Sequence, residues 1–453
     1  MAQVIYRYEC MKSPMANALT IAGSDSVGGA GLQADLKAFE AVGVHGCSVV
    51  TCVTSQNTRR VSSIFPIPES EVASQLRSVL EDVELGAVKT GMLYSPGIVK
   101  TVVSFLRDEE SPIVVDPVLA ATTGSPLHEE GFVDALVTKL LPIATIVTPN
   151  LPEASRLSGV NVKDERSAKK AAAEIAELGP KAVLVKGGHL EGSEAADYLY
   201  LGGQTKKLAT PRAPGKVHGT GCTLASFIAA HLALGADIED AVRSSKRMIY
   251  RAIILKENVG EGVPCANPLA ILRAEAEKAS MLERLDDAGL ELERLLDSGM
   301  IPEVGTNMGF ALPGALEQSE VAAFDGRIVR VGTGARKVGC ARFGASKHVA
   351  RIVLATSCHD HVSRCAMNIK YSEDNLAACR KAGLAVSSFQ RAREPKGVSS
   401  MTWGVHRAIE KHHGVPDIIY DRGGPGKEPM IRILGKSPED VIRKLRAIRS
   451  KRD

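Results

Sequence analysis

A chain of 453 residues, 44% hydrophobic and 24% charged, carries enough apolar material for two or three soluble domains. It holds no run of the roughly 18 apolar residues that a membrane span needs. Nine cysteines, scattered without a C-x-x-C pair, argue against a disulfide framework or zinc site and for a reducing, cytoplasmic setting.

The net charge of +4 hides a split. Residues 1–270 hold 26 Lys+Arg against 29 Asp+Glu, and residues 271–453 hold 30 against 23. The basic residues of the second half are spread out, and Trp403 alone offers little base stacking. Small phosphorylated ligands suit that half better than nucleic acid.

Residues 1–17 include Arg7, Glu9 and Lys12 and read as a loose extension, not a signal peptide. Ala18–Ala22 reads as a buried strand, running into a glycine loop at 23–31. Leu32, Leu36, Phe39 and Val42 then recur at helical spacing and stop at Gly43. His45–Val53, Ala87–Met92, Pro112–Asp116, Thr145–Pro149 and Ala182–Lys186 are further short apolar runs with helical patterns between them. Such alternation predicts an α/β fold: a mostly parallel sheet with helices on both faces.

Ligands of such sheets bind beyond the carboxyl ends of the strands. Polar residues gather there: Ser24 and Asp25, Gln56 and Asn57, Asp116, Asn150 with Glu153, and Lys186-Gly-Gly-His189. A lone polar residue at a strand end is usually a cap or turn; a repeated edge of them is not. The loop at 23–31 lacks the G-x-G-x-x-G spacing, and no G-x-x-x-x-G-K-[ST] occurs. NAD binding and a P-loop fold are thereby set aside.

Gly215-Lys-Val-His-Gly-Thr-Gly-Cys-Thr-Leu-Ala-Ser226 opens an apolar helix. Gly219, Thr220 and Gly221 allow consecutive amides to face one anion at a positive helix end, where the Cys222 thiol is expected to have a lowered pKa. The same stretch also reads as a helix start with packing glycines and an inert cysteine. The strand ends tip the balance. Asp116, Asn150 and Glu153 are hard oxygen donors suited to Mg2+ through water, and Lys186 neutralises phosphate. With the nest they describe a phosphotransferase.

Ala18-Leu-Thr-Ile-Ala-Gly-Ser-Asp, Gly28-Gly-Ala-Gly-Leu-Gln-Ala-Asp35, Gln56-Asn-Thr58, Lys89-Thr-Gly-Met92, Thr148-Pro-Asn-Leu-Pro-Glu-Ala154, Lys186-Gly-Gly-His189 and His218-Gly-Thr-Gly-Cys-Thr223 occur in this order. Over 18–268 the chain resembles the hydroxymethylpyrimidine/phosphomethylpyrimidine kinases, a ribokinase-like family. The resemblance implies two ATP-dependent phosphorylations, of 4-amino-5-hydroxymethyl-2-methylpyrimidine and then of its monophosphate. By position, Gly23, Asp35, Gln56, Met92 and Val118 would line the pyrimidine pocket, although Asp35 also reads as a surface charge and Met92 as plain core. Cys222 would take the hydroxyl proton or merely complete the anion hole.

Near residue 265 the pattern changes. Leu269–Leu296 reads as charged and helical, combining a linker at 269–281 with the first helix of a second, smaller α/β or α+β domain at 282–453, with no repeat of the first half. Pro302–Phe310 is loop-like. Arg327–Val331, Cys365–Tyr371, Ala385–Phe389 and Asp417–Tyr420 are strand candidates, and helices are expected at 373–382, 401–413 and 438–449. Ser346, Lys347, His348 and Arg351 gather at a helix start that favours an anion, although His348 also reads as a capping histidine. Arg327, Arg336, Arg391 and Arg393 add charge.

Asn307-Met-Gly-Phe310, Asp325-Gly-Arg327, Phe343-Gly-Ala-Ser-Lys-His-Val-Ala-Arg351, Met367-Asn-Ile-Lys-Tyr371 and Gly426-Lys-Glu-Pro-Met430 are similar to the archaeal-type thiamin-phosphate synthase domain. That resemblance implies coupling of the pyrimidine diphosphate with thiazole phosphate. Arg327 and His348 would be catalytic, Lys347 and Arg351 would bind phosphate, and protonated His348 would steady the departing diphosphate.

Expected partners are small substrates (hydroxymethylpyrimidine, ATP, thiazole phosphate), with Mg2+ as cofactor, no nucleic acid, no membrane, and a homo-oligomeric chain. A second reading makes the C-terminal domain a non-catalytic ligand sensor; the absence of an apparent helix-turn-helix disfavours it. A third shifts the kinase to pyridoxal or a sugar, which Gln56-Asn-Thr with Gly-Thr-Gly-Cys disfavours.

Overall fold

The strand runs of the first half are apolar throughout because both sheet faces are covered. The computed structural model describes residues 15–120, 127–188, 190–394 and 400–452. Most of the expected extension, 1–14, lies outside the described residues, as does His189. The chain separates into two compact units, Met1–Ile271 and Leu272–Asp453. Among the described residues no helix is long and apolar enough to cross a membrane.

In the first unit the central strands are β1 (Asn17–Asp25), β2 (His45–Gln56), β4 (Ala87–Thr90), β5 (Ile113–Val115), β6 (Ile146–Val147) and β7 (Ala182–Val185). They pair in parallel in the order β2-β1-β4-β5-β6-β7. Neighbouring residues feed opposite cores. Val88, Ile113, Val115, Val147, Val183 and Val185 pack on one face. Ala87, Val114, Ile146, Ala182 and Leu184 pack on the other.

Helices α1 (Gly31–Val42), α6 (Thr220–Ala233) and α7 (Ile238–Ile254) contribute Phe39, Leu224, Ile228, Val242 and Ile249 to the second face. Helices α2 (Glu69–Leu80), α3 (Pro96–Leu106), α4 (Leu151–Ser158) and α5 (Glu165–Ala176) cover the first with Leu76, Val102, Leu157 and Ile175. Gly43, left-handed at φ 86°, ends α1 as the sequence predicts.

The sequence did not reveal the edges. β3 (Val61–Pro66) pairs antiparallel with β2, and the hairpin of β8 (Glu194–Leu201) and β9 (Gln204–Pro211) pairs antiparallel beyond β7. β3 and β9 are half polar, so they lack the apolar signature. The Gly202-Gly203 turn, positive in φ at both residues, was the available signal for the hairpin.

The stretch read as charged and helical at 269–296 is one helix from Ala270. Helix α8 (Ala270–Leu295) runs unbroken for 26 residues, and the division between the units falls inside it. Its Ala274, Met281, Leu285, Ala288 and Leu292 are buried in the second core at helical spacing.

The second unit's sheet is almost wholly antiparallel. Its strands are β10 (Met308–Ala311), β11 (Val321–Phe324), β14 (Ala341–Phe343), β15 (Cys365–Lys370), β16 (Val386–Ser388), β17 (Ile418–Asp421) and β18 (Met430–Gly435), in the order β14-β11-β10-β15-β18-β17-β16. Only β16 and β17 run parallel. β12 (Ile328–Val331) and β13 (Gly334–Lys337) form a separate hairpin. The expected loop at 302–310 therefore ends in a strand. Helices α9 (Lys347–Ser357), α10 (Glu373–Lys381), α11 (Ser400–His412) and α12 (Pro438–Arg449) complete an α+β unit.

Each unit has its own core, so core damage should stay local. Leu285→Ala removes a side chain with no exposed surface and should destabilise the second unit by about 2–5 kcal/mol. Thermal unfolding of the full chain should show this loss in the transition of the second unit while that of the first unit is unchanged.

Candidate active site

Two glycine loops press together at the carboxyl edge of the first sheet. Gly219 sits at φ 79° immediately before α6, and a Cβ there would lie 1.7 Å from the Gly29 carbonyl oxygen. Gly31 is likewise confined: a Cβ would lie 2.3 Å from the Gly23 oxygen. No side chain fits either contact.

Asp25 ties the loops. Its carboxylate accepts from the amides of Val27, Gly29 and Ala30 at 3.0, 3.0 and 2.8 Å and lies 3.4 Å from His218 Nε2. Burial pushes the Asp25 pKa up, but His218 and the amides outweigh it and hold the group below its ordinary value. His218 Nε2 is also 2.9 Å from Gln56 Nε2. Gln56, the amide expected to read a pyrimidine, thus meets His218, which also lines the cleft and whose Nε2 serves either Asp25 as donor or Gln56 as acceptor.

Across the cleft, Lys186 Nζ donates to Asp116 Oδ1 at 2.9 Å, with side-chain exposures of 14% and 3%. Gly221 faces this pair: a Cβ there would stand 3.1 Å from the ammonium and 3.6 Å from Asp116 Oδ2. The nest, Asp116, Lys186 and Cys222 therefore converge. Burial pulls the Lys186 pKa down, yet Asp116 and Glu153 overcome it, and the lysine stays charged. Burial, aided by Asp116 and opposed by Lys186, pushes the Glu153 pKa up to about 7.

Asn150, expected among the metal ligands, is a helix cap. Its Oδ1 accepts from Glu153 N at 2.9 Å while Glu153 Oε2 accepts from Asn150 N at 2.8 Å. Among the described residues no group of three His, Cys, Asp or Glu side chains forms a metal set.

The cleft between these walls holds about 1250 Å3. Gly23, Gln56, Met92 and Val118 line one part; Asp116, Asn150, Glu153, Lys186 and residues 219–222 line another. Asp35 does not reach it. Its carboxylate is fully buried and accepts from Thr20 Oγ1, Lys89 Nζ and Ser226 Oγ, each at 2.7 Å. Three donors consume it, so Asp35 reaches the cleft only through Lys89, which lines the cavity floor. Sequence reasoning missed Lys89, although a lone lysine inside an apolar strand was a signal of a paired buried charge.

The thiol expectation is reversed. Burial, with Asp116 and Asp35 adding and Lys89 opposing, pushes the Cys222 pKa up to about 12. Desolvation of the thiolate outweighs the helix end, so Cys222 stands as a neutral thiol.

In the second unit Arg327 follows Gly326 in a turn with both residues at positive φ, 75° and 70°. Its Nη1 donates to the Val304 carbonyl. Ser346 Oγ caps α9, accepting from Val349 N at 3.5 Å. Lys347 and Arg351 share one exposed face a turn apart.

The His348 ring reaches solvent, yet the crowded surface around it and then Arg432, Arg391, Arg327 and Arg351 push its pKa down, to about 4. His348 and Arg327 lie in one electrostatic cluster, which disfavours the imidazolium in the ligand-free unit, whereas the expectation of a protonated His348 concerns the departing diphosphate.

A parallel-centred sheet whose strand ends carry a glycine anion nest over a lysine–carboxylate pair defines a ribokinase-like phosphotransferase. A profile of the phosphomethylpyrimidine kinase family matches residues 25–267, and one of thiamine-phosphate synthase ThiN matches residues 284–447. The bifunctional thiamine biosynthesis protein ThiDN of Methanocaldococcus jannaschii is 34% identical over 95% of this chain and 97% of its own. A hydroxymethylpyrimidine/phosphomethylpyrimidine kinase of Streptomyces coelicolor is 46% identical over 54% of this chain and 91% of its own. The pyridoxal kinase of Staphylococcus aureus, solved with AMP-PCP and pyridoxal, superposes with a TM-score of 0.54 at 33% identity, covering 58% of this chain and 96% of that one. The chain belongs to the family of bifunctional ThiDN proteins, in which a phosphomethylpyrimidine kinase precedes a ThiN thiamine-phosphate synthase.

Burial favours the thiol form of Cys222 over the thiolate near neutrality in the ligand-free chain. Cys222→Ala and Cys222→Ser should keep the shape of the wild-type pH–rate profile; disappearance of an ionisation in both would restore the thiol as proton acceptor. Lys89→Met strands Asp35 without its counter-charge and should cost on the order of 3–5 kcal/mol in stability, read as a lowered unfolding midpoint.

Proposed function

We propose that the two units perform consecutive steps. The first transfers phosphoryl groups from ATP to the hydroxymethyl oxygen of 4-amino-5-hydroxymethyl-2-methylpyrimidine and then to the monophosphate formed. The second joins the resulting diphosphate to thiazole phosphate, giving thiamin phosphate and inorganic diphosphate. The observation that carries the kinase reading is the Asp116–Lys186 pair in contact range of Gly221, directly against the amide nest.

In this reading Gln56, Met92 and Val118 hold the pyrimidine and aim its hydroxymethyl at the nest. The hydroxyl oxygen attacks the γ-phosphorus, the bond to the β–γ bridging oxygen breaks, and ADP departs. Lys186 and the amides of 219–222 take up charge on the phosphoryl oxygens as it develops. The transition state of such transfers is loose, so the hydroxyl proton leaves late and a phosphoryl oxygen accepts it. Cys222 forms part of the wall as a neutral thiol.

A divalent ion fits the carboxylates. Burial of Glu153, opposed by Lys186 and aided by Asp116, is why Glu153 retains a proton up to about pH 7, and a cation beside the two carboxylates would favour its ionised form. Asp116 and Glu153 would hold Mg2+ with phosphate oxygens and water as its other ligands, and the bound ion would draw charge from the nucleotide phosphates. The neighbour with AMP-PCP supports nucleotide use. The cysteines among the described residues are all free, in keeping with a cytoplasmic enzyme.

In the second unit the bond from the pyrimidine methylene to diphosphate oxygen breaks, and the thiazole nitrogen forms the new bond to that carbon. Arg327, Arg351 and His348 face the departing anion. Diphosphate offsets the guanidinium charges around His348 and raises its pKa, so binding takes up a proton. The bifunctional relative spanning nearly the whole chain favours an enzyme over a sensor domain.

The direct test incubates the purified chain with hydroxymethylpyrimidine, ATP, Mg2+ and thiazole phosphate and looks for thiamin phosphate; its absence with active kinase would refute the coupling. Arg327→Ala and His348→Ala should cut coupling on the order of 100-fold or more with phosphorylation intact. Because the His348 pKa rises on diphosphate binding, affinity should fall as pH rises through the bound-state value. Calorimetry in buffers of different ionisation enthalpy should show proton uptake that His348→Ala abolishes.

A further inference from the structure

Strand β18 has both faces buried, and Arg432 lies within it with no exposed side-chain surface. A buried guanidinium is costly to desolvate unless it is paired and its donors are used. Asp421 supplies the pair, accepting from Nη2 at 2.7 Å. The same nitrogen meets Met401 Sδ at 3.4 Å, and the cation lies 5.3 Å from the Phe389 ring centre. Nε and Nη1 have no partner.

Asp421 is shared with a second guanidinium. Its Oδ1 and Oδ2 accept Nε and Nη2 of Arg391 at 2.5 and 3.1 Å, and Oδ1 also accepts Gly423 N at 2.9 Å. One carboxylate between two arginines leaves a net positive charge at the heart of the unit. Packing does not call for it: an apolar residue would fill a central strand position at lower cost.

The surroundings show what the charge faces. Asp421 pairs with Met430 on the next strand, and Met430 Sδ lies 3.5 Å from Asn368 Nδ2. That nitrogen donates to the Gly305 carbonyl at 3.0 Å. A Cβ on Gly305 would stand 3.4 Å from Arg327 Cδ, so the clamp and the Arg327 turn share one neighbourhood. Arg391 is 9% exposed, whereas Arg432 is closed off entirely. The clamp on Asp421 uses Nε and Nη2 of Arg391 and leaves Nη1 uncommitted.

We propose that Arg391 is a further anion-binding residue of the second unit's site, beside Arg327 and His348, and that Asp421 and Arg432 are its positioning residues. The bidentate clamp fixes the guanidinium plane. Arg432, fixed inside the sheet, keeps Asp421 ionised: burial pushes the Asp421 pKa up, but Arg432 and then Arg391 hold it below the ordinary carboxylate value. The ligand is a phosphoryl oxyanion, from either the pyrimidine diphosphate or the thiazole phosphate. This assignment rests on the coupling reading above.

The test uses the full chain and its Arg391→Ala, Arg391→Lys and Arg432→Met variants. Calorimetry measures binding of inorganic diphosphate and, separately, of thiazole phosphate; kinase turnover reports folding of the chain. Arg391→Ala should weaken one of these ligands by roughly ten- to a hundredfold, the loss expected for a charge-assisted hydrogen bond. The ligand that weakens, with the KM of the matching substrate, identifies the source of the anion. Arg391→Lys should recover little, because an ammonium cannot reproduce the clamp. Arg432→Met should raise the His348 pKa seen by NMR and weaken the same ligand. Unchanged affinity for both ligands in Arg391→Ala, with coupling intact, overturns the assignment even if Arg432→Met fails to fold. A wild-type chain that binds neither ligand and makes no thiamin phosphate overturns the coupling reading itself.

Discussion

An ammonium buried against a carboxylate at the end of a parallel sheet governs the first unit. Lys186 and Asp116 lie 2.9 Å apart with little exposure, where removing either partner would cost about 3–5 kcal/mol. Their surroundings follow from that. Gly221 carries no side chain because one would crowd the ammonium, and Gly219 takes a left-handed turn because the chain passes against the Gly29 carbonyl. Glu153 keeps its proton to about pH 7 because burial and Asp116 together outweigh one lysine. A second buried pair, Lys89 with Asp35, stands beneath the floor and is braced by Thr20 and Ser226. The pocket is set up before substrate arrives, and its charge balance is adjusted by one proton on Glu153.

The second unit solves the opposite problem. It collects cations faster than it neutralises them. Arg327, Arg351, Arg391 and Arg432 all act on His348, and among these only Arg391 and Arg432 share a buried carboxylate, that of Asp421. An excess of guanidinium charge disfavours the His348 imidazolium in the ligand-free unit. The first site resembles a nearly balanced cradle; the second holds an excess of positive charge.

Legibility differed between the halves for a physical reason. Strands covered on both faces are mostly apolar, so β5, β6 and β7 stood out as runs, as did β4 despite its paired Lys89. β3 and β9 have exposed positions and polar residues, and they did not. In the second sheet β18 is fully buried, but Arg432 interrupts its apolar run. The residue that hid the strand is also the one that sustains the charge cluster. The helix at 270–295 was legible because Ala, Glu, Lys and Leu suit a helix, but its charged face masked a buried stripe at Ala274 and Met281.

The order of apolar runs, the glycines at 219 and 221, the oxygen and nitrogen groups at strand ends and the two motif sets were determined by the chain alone, because local propensity and covalent spacing settle them. Which of those groups face the cleft was decided only by tertiary packing. Asp35 withdrew behind Lys89, Asn150 became a cap, Cys222 lost its expected acidity, and the His348 imidazolium is disfavoured by Arg351 on its own helix and by Arg327, Arg391 and Arg432 from other elements. Burial and through-space charge depend on neighbours distant in sequence, and no local pattern carries them.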